Sequence, residues 1–223
     1  METKETKKVS LVLRPSKPRV EIKNKILAEA CRLFCRRGIK SVSMDDIALQ
    51  LAMSKKTLYK WFENKDELVQ AVINLQLEAN ECGCDEMSKT ATNAVDELLR
   101  IMIMNKKFFS ELHPSLFFDL QKYHSGAWKL FNEHKNKFIL TKVKHNIQRG
   151  MEEGLFRPDL DIEIMSRLRL AQIELVFNPD IFPPGQFDVG KVQLACLEHF
   201  MLGIATPEGH ELINRYKKIT EEE

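Results

Sequence analysis

Apolar residues recur along this chain at intervals of three and four, the spacing of one face of a helix. Ile22, Ile26, Ala30 and Leu33 form one stripe, with Leu27 and Phe34 beside it, and predict a helix over residues 20–37. Arg36 and Arg37 suit its C-terminal end and Gly38 its stop. Ser43 followed by Asp46 reads as a capping box, with Asp in the usual place of Glu. Met44, Ile47, Ala48 and Leu51 supply the buried face of a second helix, and Ala52 and Met53 make a turn. Because Ala stands at 52, the turn is read as needing no positive φ there. Ser54 caps a third helix whose Leu58 and Phe62 face inward. Asn64 caps a fourth, with Glu67 completing a second box and Leu68, Val72, Leu75 and Ala79 as an inward stripe reaching residues 82–83.

The remaining pattern predicts helices near 88–110, 113–123, 126–152, 160–177, 189–204 and 207–220. Pro114, Gly126, Gly154, Pro158 and the run PDIFPPG at 179–185 punctuate them. Val, Ile and Thr form no period-two runs, so the fold class is all-α. It has an N-terminal three-helix unit with a helix-turn-helix, followed by a larger helical body.

Charge divides the same way. The formal net charge of +2 is the sum of about +7 over residues 1–68 and about −5 over the rest. A basic front end on a mildly acidic body points to a polyanion met by the front end only. No apolar run reaches the ~18–20 residues of a membrane span, and the N-terminus METKETKKVS has no signal-peptide core. A cytoplasmic protein is expected. Five cysteines without framework spacing are expected to be reduced.

Reading DNA takes a small platform, a helix whose N-terminal half reaches base edges, and donors around it for phosphates. Helices one to three are the platform. The third presents Lys55, Lys56, Thr57 and Lys60 away from its Leu58/Phe62 face. Lysines donate to guanine O6/N7 or to phosphates, and the Thr57 hydroxyl or methyl meets a base edge. Ser43, at a helix N-terminus, favours a phosphate, and Lys65 flanks the opposite side. A lysine run alone is more often a solvated face; the Ser54 cap, Tyr59 and the platform reverse that.

On these residues the segment 22–68 resembles the DNA-binding domain of the TetR family of transcriptional repressors. Ile26, Ala30, Leu33, Phe34, Gly38, Ser43, Ile47, Ala48, Ser54, Thr57, Leu58, Tyr59, Phe62, Lys65 and Leu68 carry it, above all in the run SKKTLYKWFENKDEL. The resemblance implies phosphate contacts from Ser43, Tyr59 and Lys65, and base or groove contacts from Ser54, Lys55, Lys56, Thr57 and Lys60. Three positions depart from the family pattern. Ala52 stands where Gly is usual, Lys56 where Gly or Ala is frequent, and Trp61 where His is common. The chain then divides into a flexible basic arm over 1–19, a helix-turn-helix DNA-binding domain over 20–66, and a helical effector-binding and dimerisation domain over 67–223. The arm is either a plain tail or a minor-groove and phosphate-tracking segment.

The body concentrates aromatics and methionines between 101 and 138. Met104, Phe108, Phe118, Trp128, Phe131, His134 and Phe138 are the candidate lining of a mainly apolar pocket for a small apolar effector. The alternative for each is ordinary core. His134 and His145 share a stripe but lie roughly 16 Å apart along a helix, so they cannot share a metal. The Cys82–Gly83–Cys84 pair has an unusual spacing for zinc, and no metal or cofactor is expected. The helices near 160–177 and 189–204 are apolar on more than one side. One face belongs to the core; the other predicts a homodimer through a four-helix interface.

The expectation is a homodimeric regulator that binds a double-stranded DNA operator and is released from it by a small molecule. It is not an enzyme: there is no Ser-His-Asp set, phosphate loop or His/carboxylate metal motif. The alternative is a ligand-independent DNA-binding or architectural protein whose body serves protein contacts. An enclosed cavity in the body separates the two.

Overall fold

The computed structural model describes residues 17–110, 112–113, 115–183 and 185–222, with side chains over 20–106, 112–113, 115–183 and 185–216. Most of the arm, residues 1–16, lies outside the described residues, as does the side chain of Phe108. The described chain is all-helical apart from one isolated β-bridge. Its order is α1 Lys17–Arg37, α2 Met44–Gln50, α3 Lys55–Tyr59, α4 Lys65–Thr90, α5 Ala94–Ser110, α6 Leu116–Tyr123, α7 Ser125–His134, a π-helical turn Lys135–Ile139, α8 Leu140–Glu152, α9 Ile162–Leu175, α10 Val189–Ile204 and α11 Pro207–Glu222. Among the described residues no helix is long and apolar enough to cross a membrane.

The N-terminal caps form locally and as the sequence predicts at Ser43, Ser54 and Asn64. The second capping box differs in one partner: Asn64 Oδ1 accepts the Glu67 N–H at 2.9 Å, but the Glu67 carboxylate accepts the N–H of Glu63, at 2.6 Å, one residue earlier than a box requires.

The body departs further. Helix α4 does not end at 82–83 but runs to Thr90, and its inner face turns away from Leu75 and Ala79, which are exposed, toward half-buried Asn80 and buried Cys84. Gly83 is a contact glycine: a Cβ there would lie 2.5 Å from the Met104 sulfur of α5. The real break is at 91–93. Asn93 Oδ1 accepts the Asp96 N–H at 2.9 Å, and the Asp96 carboxylate accepts the Thr92 N–H at 2.8 Å, which caps α5. Helix α6 starts at Leu116 rather than 113. Residues 125–152 form the expected long rod, interrupted by the π turn.

Two cores organise these helices. In the first, Ile26, Leu33, Ile47, Leu58, Phe62 and Leu68 of the N-terminal unit pack continuously with Leu112, Leu116, Leu120 and Ala127 of the body. The second joins α5, α8, α10 and α11 through Val95, Ile147, Phe156, Phe200, Ile204 and Ile213. Each fully buried side chain of this size contributes about 1.5–3 kcal/mol. Burial across the 66–67 division therefore fastens the N-terminal unit to α6 and α7. The bridge between Phe156 and Ala205, with Arg157 N–H donating to the Ile204 carbonyl at 2.9 Å, closes the second core at the α10–α11 corner.

Candidate nucleic-acid interface

Helix α2 is fixed at both ends by backbone chemistry. At its start the Ser43 hydroxyl accepts the Asp46 N–H at 3.1 Å, and the Asp46 carboxylate accepts the Ser43 N–H at 2.7 Å. These hydrogen bonds from Ser43 hold the Asp46 carboxyl below its ordinary pKa. At its end the Met53 N–H donates to the Ala48 carbonyl at 2.9 Å and the Ala52 N–H to the Leu49 carbonyl at 3.1 Å. This is a Schellman stop, and it puts Ala52 in the left-handed region with φ of +48°. The sequence reading of a turn without positive φ is thereby overturned. Ala52 is the one non-glycine with positive φ among the described residues, at the position where Gly has no steric penalty.

The turn aims α3. Ser54 Oγ accepts the Thr57 N–H at 3.1 Å and lies 2.8 Å from Thr57 Oγ1, so the cap also orients the Thr57 hydroxyl. Leu58 and Phe62 are buried, as predicted. Lys55, Lys56, Tyr59 and Lys60 are exposed and Thr57 is half-buried, so α3 turns outward three ammonium groups, a phenol and a hydroxyl within one and a half turns. Lys55 Nζ sits 2.9 Å from Asp45 of α2, and that carboxylate hydrogen bond raises the pKa of the ammonium. The pair ties α3 to α2 in the free protein. Both groups are solvent-exposed, so DNA phosphates can replace Asp45 at small cost.

Lys65 is placed differently from the exposed lysines. Its Nζ donates to the Ile39 carbonyl at 2.6 Å and the Lys40 carbonyl at 3.5 Å. Burial pushes its pKa down, against the opposing pull of Asp119, Asp66 and Asp46. It therefore holds the α1–α2 loop that leads to Ser43.

Helix α6 grips the same loop from the body. The His113 N–H donates to the Cys35 carbonyl at 2.6 Å. Buried Asp119 accepts the Lys40 N–H at 2.9 Å and the Ser115 hydroxyl at 3.2 Å. Gly38, at φ of +78°, ends α1 so close to α6 that a Cβ there would lie 2.5 Å from Ser115 Oγ. His124, also buried, meets Asp66 at the start of α4 at 2.5 Å. None of these joints was foreseen from the sequence. The only local signal was an acid, Asp119, inside the apolar run LFFDL.

Of the seven predicted pocket residues, Phe138 lines a cavity of about 570 Å³ among α4, α5, α8, α9 and α10. Its apolar walls include Leu98, Ile101, Met102, Val143, Ile173 and Leu197. Phe118 lines a smaller space of about 330 Å³, with Phe117, Phe177, Phe182 and Phe187. Trp128 and Phe131 stack on each other against the first core, on the side of the N-terminal unit. His134 stacks on Phe138 while its Nδ1 meets Glu81 at 3.0 Å, and Met104 packs on Gly83. Cys82 and Cys84 lie within α4, the first exposed and the second buried. Burial pushes the Cys84 thiol up to about 11. No group of three or more His, Cys, Asp or Glu among the described residues is arranged to hold a metal.

Residues 26–72 match the family model described as bacterial regulatory proteins, tetR family. The chain is 27% identical over 188 residues to the HTH-type transcriptional regulator YvaF of Bacillus subtilis (strain 168), covering 82% of this chain and 96% of that one. It is 25% identical to the HTH-type transcriptional repressor KstR2 of Mycolicibacterium smegmatis, covering 69% and 76%. Among solved structures, a transcriptional regulator from Saccharomonospora viridis in complex with choline superposes with a TM-score of 0.68 at 18% identity, covering 84% and 99%.

Proposed function

Since this chain belongs to the TetR family of bacterial regulatory proteins, and so is a DNA-binding transcriptional regulator, we propose that it is a cytoplasmic repressor released from its operator by a small molecule. The observation that carries this reading is the pair of joints described above. One element, the loop at 38–43, is held at once by α6 of the body and by Lys65 of α4, and it leads into the α2–α3 reader. A ligand that binds the body better in a state that moves α6 or α4 shifts the reader by that difference in affinity.

In this reading Lys55, Lys56, Thr57 and Lys60 meet the major groove, Ser54 orients Thr57, and Ser43 and Tyr59 meet phosphates. Residues 20–66 act as the reader and 67–223 as the effector and dimerisation part. Two copies pair through α9 and α10, where Ile164, Leu168 and Leu175 leave an exposed stripe on α9 beside exposed Leu194 of α10. Half-sites then lie roughly 34–36 Å apart or somewhat more. The cavity of the body is partly open rather than enclosed, and its mainly apolar walls offer a small molecule a place to bind, which supports ligand release. The choline title belongs to the Saccharomonospora protein, and at 18% identity its ligand does not transfer.

The test selects a preferred duplex from a random pool and compares it with random DNA by fluorescence anisotropy. Thr57→Ala and Lys56→Ala lower the preference by about 1–3 kcal/mol. Tyr59→Phe, which removes a phosphate contact, weakens both duplexes about equally. The same loss on both duplexes from all three variants would refute this division of roles.

A further inference from the structure

The wall of the 570 Å³ cavity carries a buried cation that has no counter-ion among the described residues. Arg169 of α9 is 8% exposed, lines the cavity, and its Nη1 has no hydrogen-bond partner among the described residues. No carboxylate among them lies within ion-pair distance of it. The Phe200 ring lies 5.7 Å from its guanidinium carbon, and Cys196 also bears on its charge, but neither supplies an acceptor for the buried Nη1. Burial lowers its pKa to about 10, so it stays charged at neutral pH.

Of the other charged groups of the lining, Lys106 and Lys191 are exposed to solvent, and the rest are paired or used in a cap. Glu97 is paired with Arg149 at 3.3 Å, Lys142 with Asp85 at 2.5 Å, and Asp188 caps α10 by accepting the Lys191 N–H at 2.8 Å. A second buried polar atom also lacks a partner: Asn146 donates to the Ala94 carbonyl at 3.0 Å, but its Oδ1 accepts nothing among the described residues. Buried polar groups are normally satisfied, and a buried charge without a partner is costly. A site built this way is completed by what binds it.

We infer that the cavity takes an amphipathic monocarboxylate, its head forked on Arg169 and its chain among Leu98, Ile101, Met102, Val143 and Phe138. A carboxylate presents two acceptors to the guanidinium edge, in the geometry that Arg prefers. Arg169 is the one buried cation of the lining without a counter-ion among the described residues, and a single negative charge at the head matches it, which favours a carboxylate over a phosphate dianion. Asn146 Oδ1 accepts from a hydroxyl or from a water held beside the head. The volume is ordinary for a small-molecule site. This assignment rests on the reading of the body as the effector part and names the chemistry that part recognises.

The experiment uses the whole protein and four probes with one ten-carbon chain: decanoate, decyl phosphate, decanol and decyltrimethylammonium, all below their micellar concentrations. Calorimetric titration gives affinity, and the shift in Tm gives an independent readout. The wild type is expected to bind decanoate about tenfold or more tighter than decanol. Arg169→Gln brings decanoate to the level of decanol, and Arg169→Lys keeps part of the difference. Arg169→Met raises the Tm of the unliganded protein while losing the decanoate shift. Should these variants not fold, the wild-type comparison of acid with alcohol decides alone. Equal binding of acid and alcohol, tighter binding of the phosphate or the ammonium, or no binding of any probe overturns the assignment. DNA release is read separately by anisotropy of a bound duplex. Arg169-dependent binding of decanoate without release supports the carboxylate site and overturns ligand release. Release by decanol or the ammonium, with decanoate unbound, overturns the carboxylate site and supports ligand release.

Discussion

Ala52 shows how one residue can carry strain at a place the surrounding backbone has already decided. The two hydrogen bonds that close α2 fix residue 52 at φ of +48°, whatever its side chain. A non-glycine residue there costs roughly 1–2 kcal/mol, while Gly would give back about 0.5–1 kcal/mol through the entropy of the unfolded chain. Ala52→Gly is therefore expected to stabilise the protein by up to ~1 kcal/mol, measured as a higher urea midpoint at constant slope. A loss of stability would mean that the methyl group packs usefully in the turn. The sequence made the substitution visible but led to the wrong reading of it. Residue identity reports what is tolerated at a position, whereas φ here is set by the carbonyls of Leu49 and Ala48, three and four residues upstream.

At the scale of elements, what was legible followed from how local the cause was. The caps at Ser43, Ser54 and Asn64 depend on residues three positions away, and they appear where the sequence placed them. The length of α4 was misread because Gly83 was taken for a helix stop, when it is a place of close approach to Met104 on α5 that only a contact across two helices reveals. The cavity depends on five helices, and its decisive residue, Arg169, lies on α9, far along the chain from the aromatic cluster that drew attention. Asp119 belongs to the same class of non-local feature, and it tests whether α6 steers the reader. Asp119→Ala removes the acceptor of the Lys40 N–H from a partly buried hydrogen bond, at a cost of about 0.5–1.5 kcal/mol. Asp119→Asn keeps an oxygen acceptor and should cost less. If α6 holds the 38–43 loop in its DNA-binding position, both variants weaken DNA binding in the same order as they lose stability. Full DNA affinity in a destabilised, still folded Asp119→Ala protein would show that α6 supports the loop without steering it.

For the whole molecule, the continuity of the first core makes a claim about cooperativity that acid can test. Several carboxyls are held below their ordinary pKa values. Glu29 is lowered by Arg32, Asp46 by Ser43, Asp85 by Lys142 and Glu163 by Lys144 and Arg167. Burial raises Asp96, but Arg100 and Thr92 outweigh it and its pKa also falls. For every one of these groups the unfolded chain binds its proton at higher pH than the folded chain does. Their contribution to stability is thus complete above the ordinary values of 3.8 and 4.5, and it is lost as pH falls through the lower folded values. Stability should fall steeply below about pH 5, and Asp46→Asn should make that fall shallower. Glu29 and Asp46 lie in the N-terminal unit and the other three in the body. With separate cores the two parts would lose structure at different pH. Because Leu112, Leu116, Leu120 and Ala127 complete the core of the N-terminal unit, they should unfold together. The emission of Trp61, isolated by a Trp128→Phe substitution, should then follow the same acid transition as far-UV circular dichroism. A change at Trp61 at higher pH than the loss of helix would show that the reader melts first and that the packing across α6 and α7 is too weak to couple the two parts.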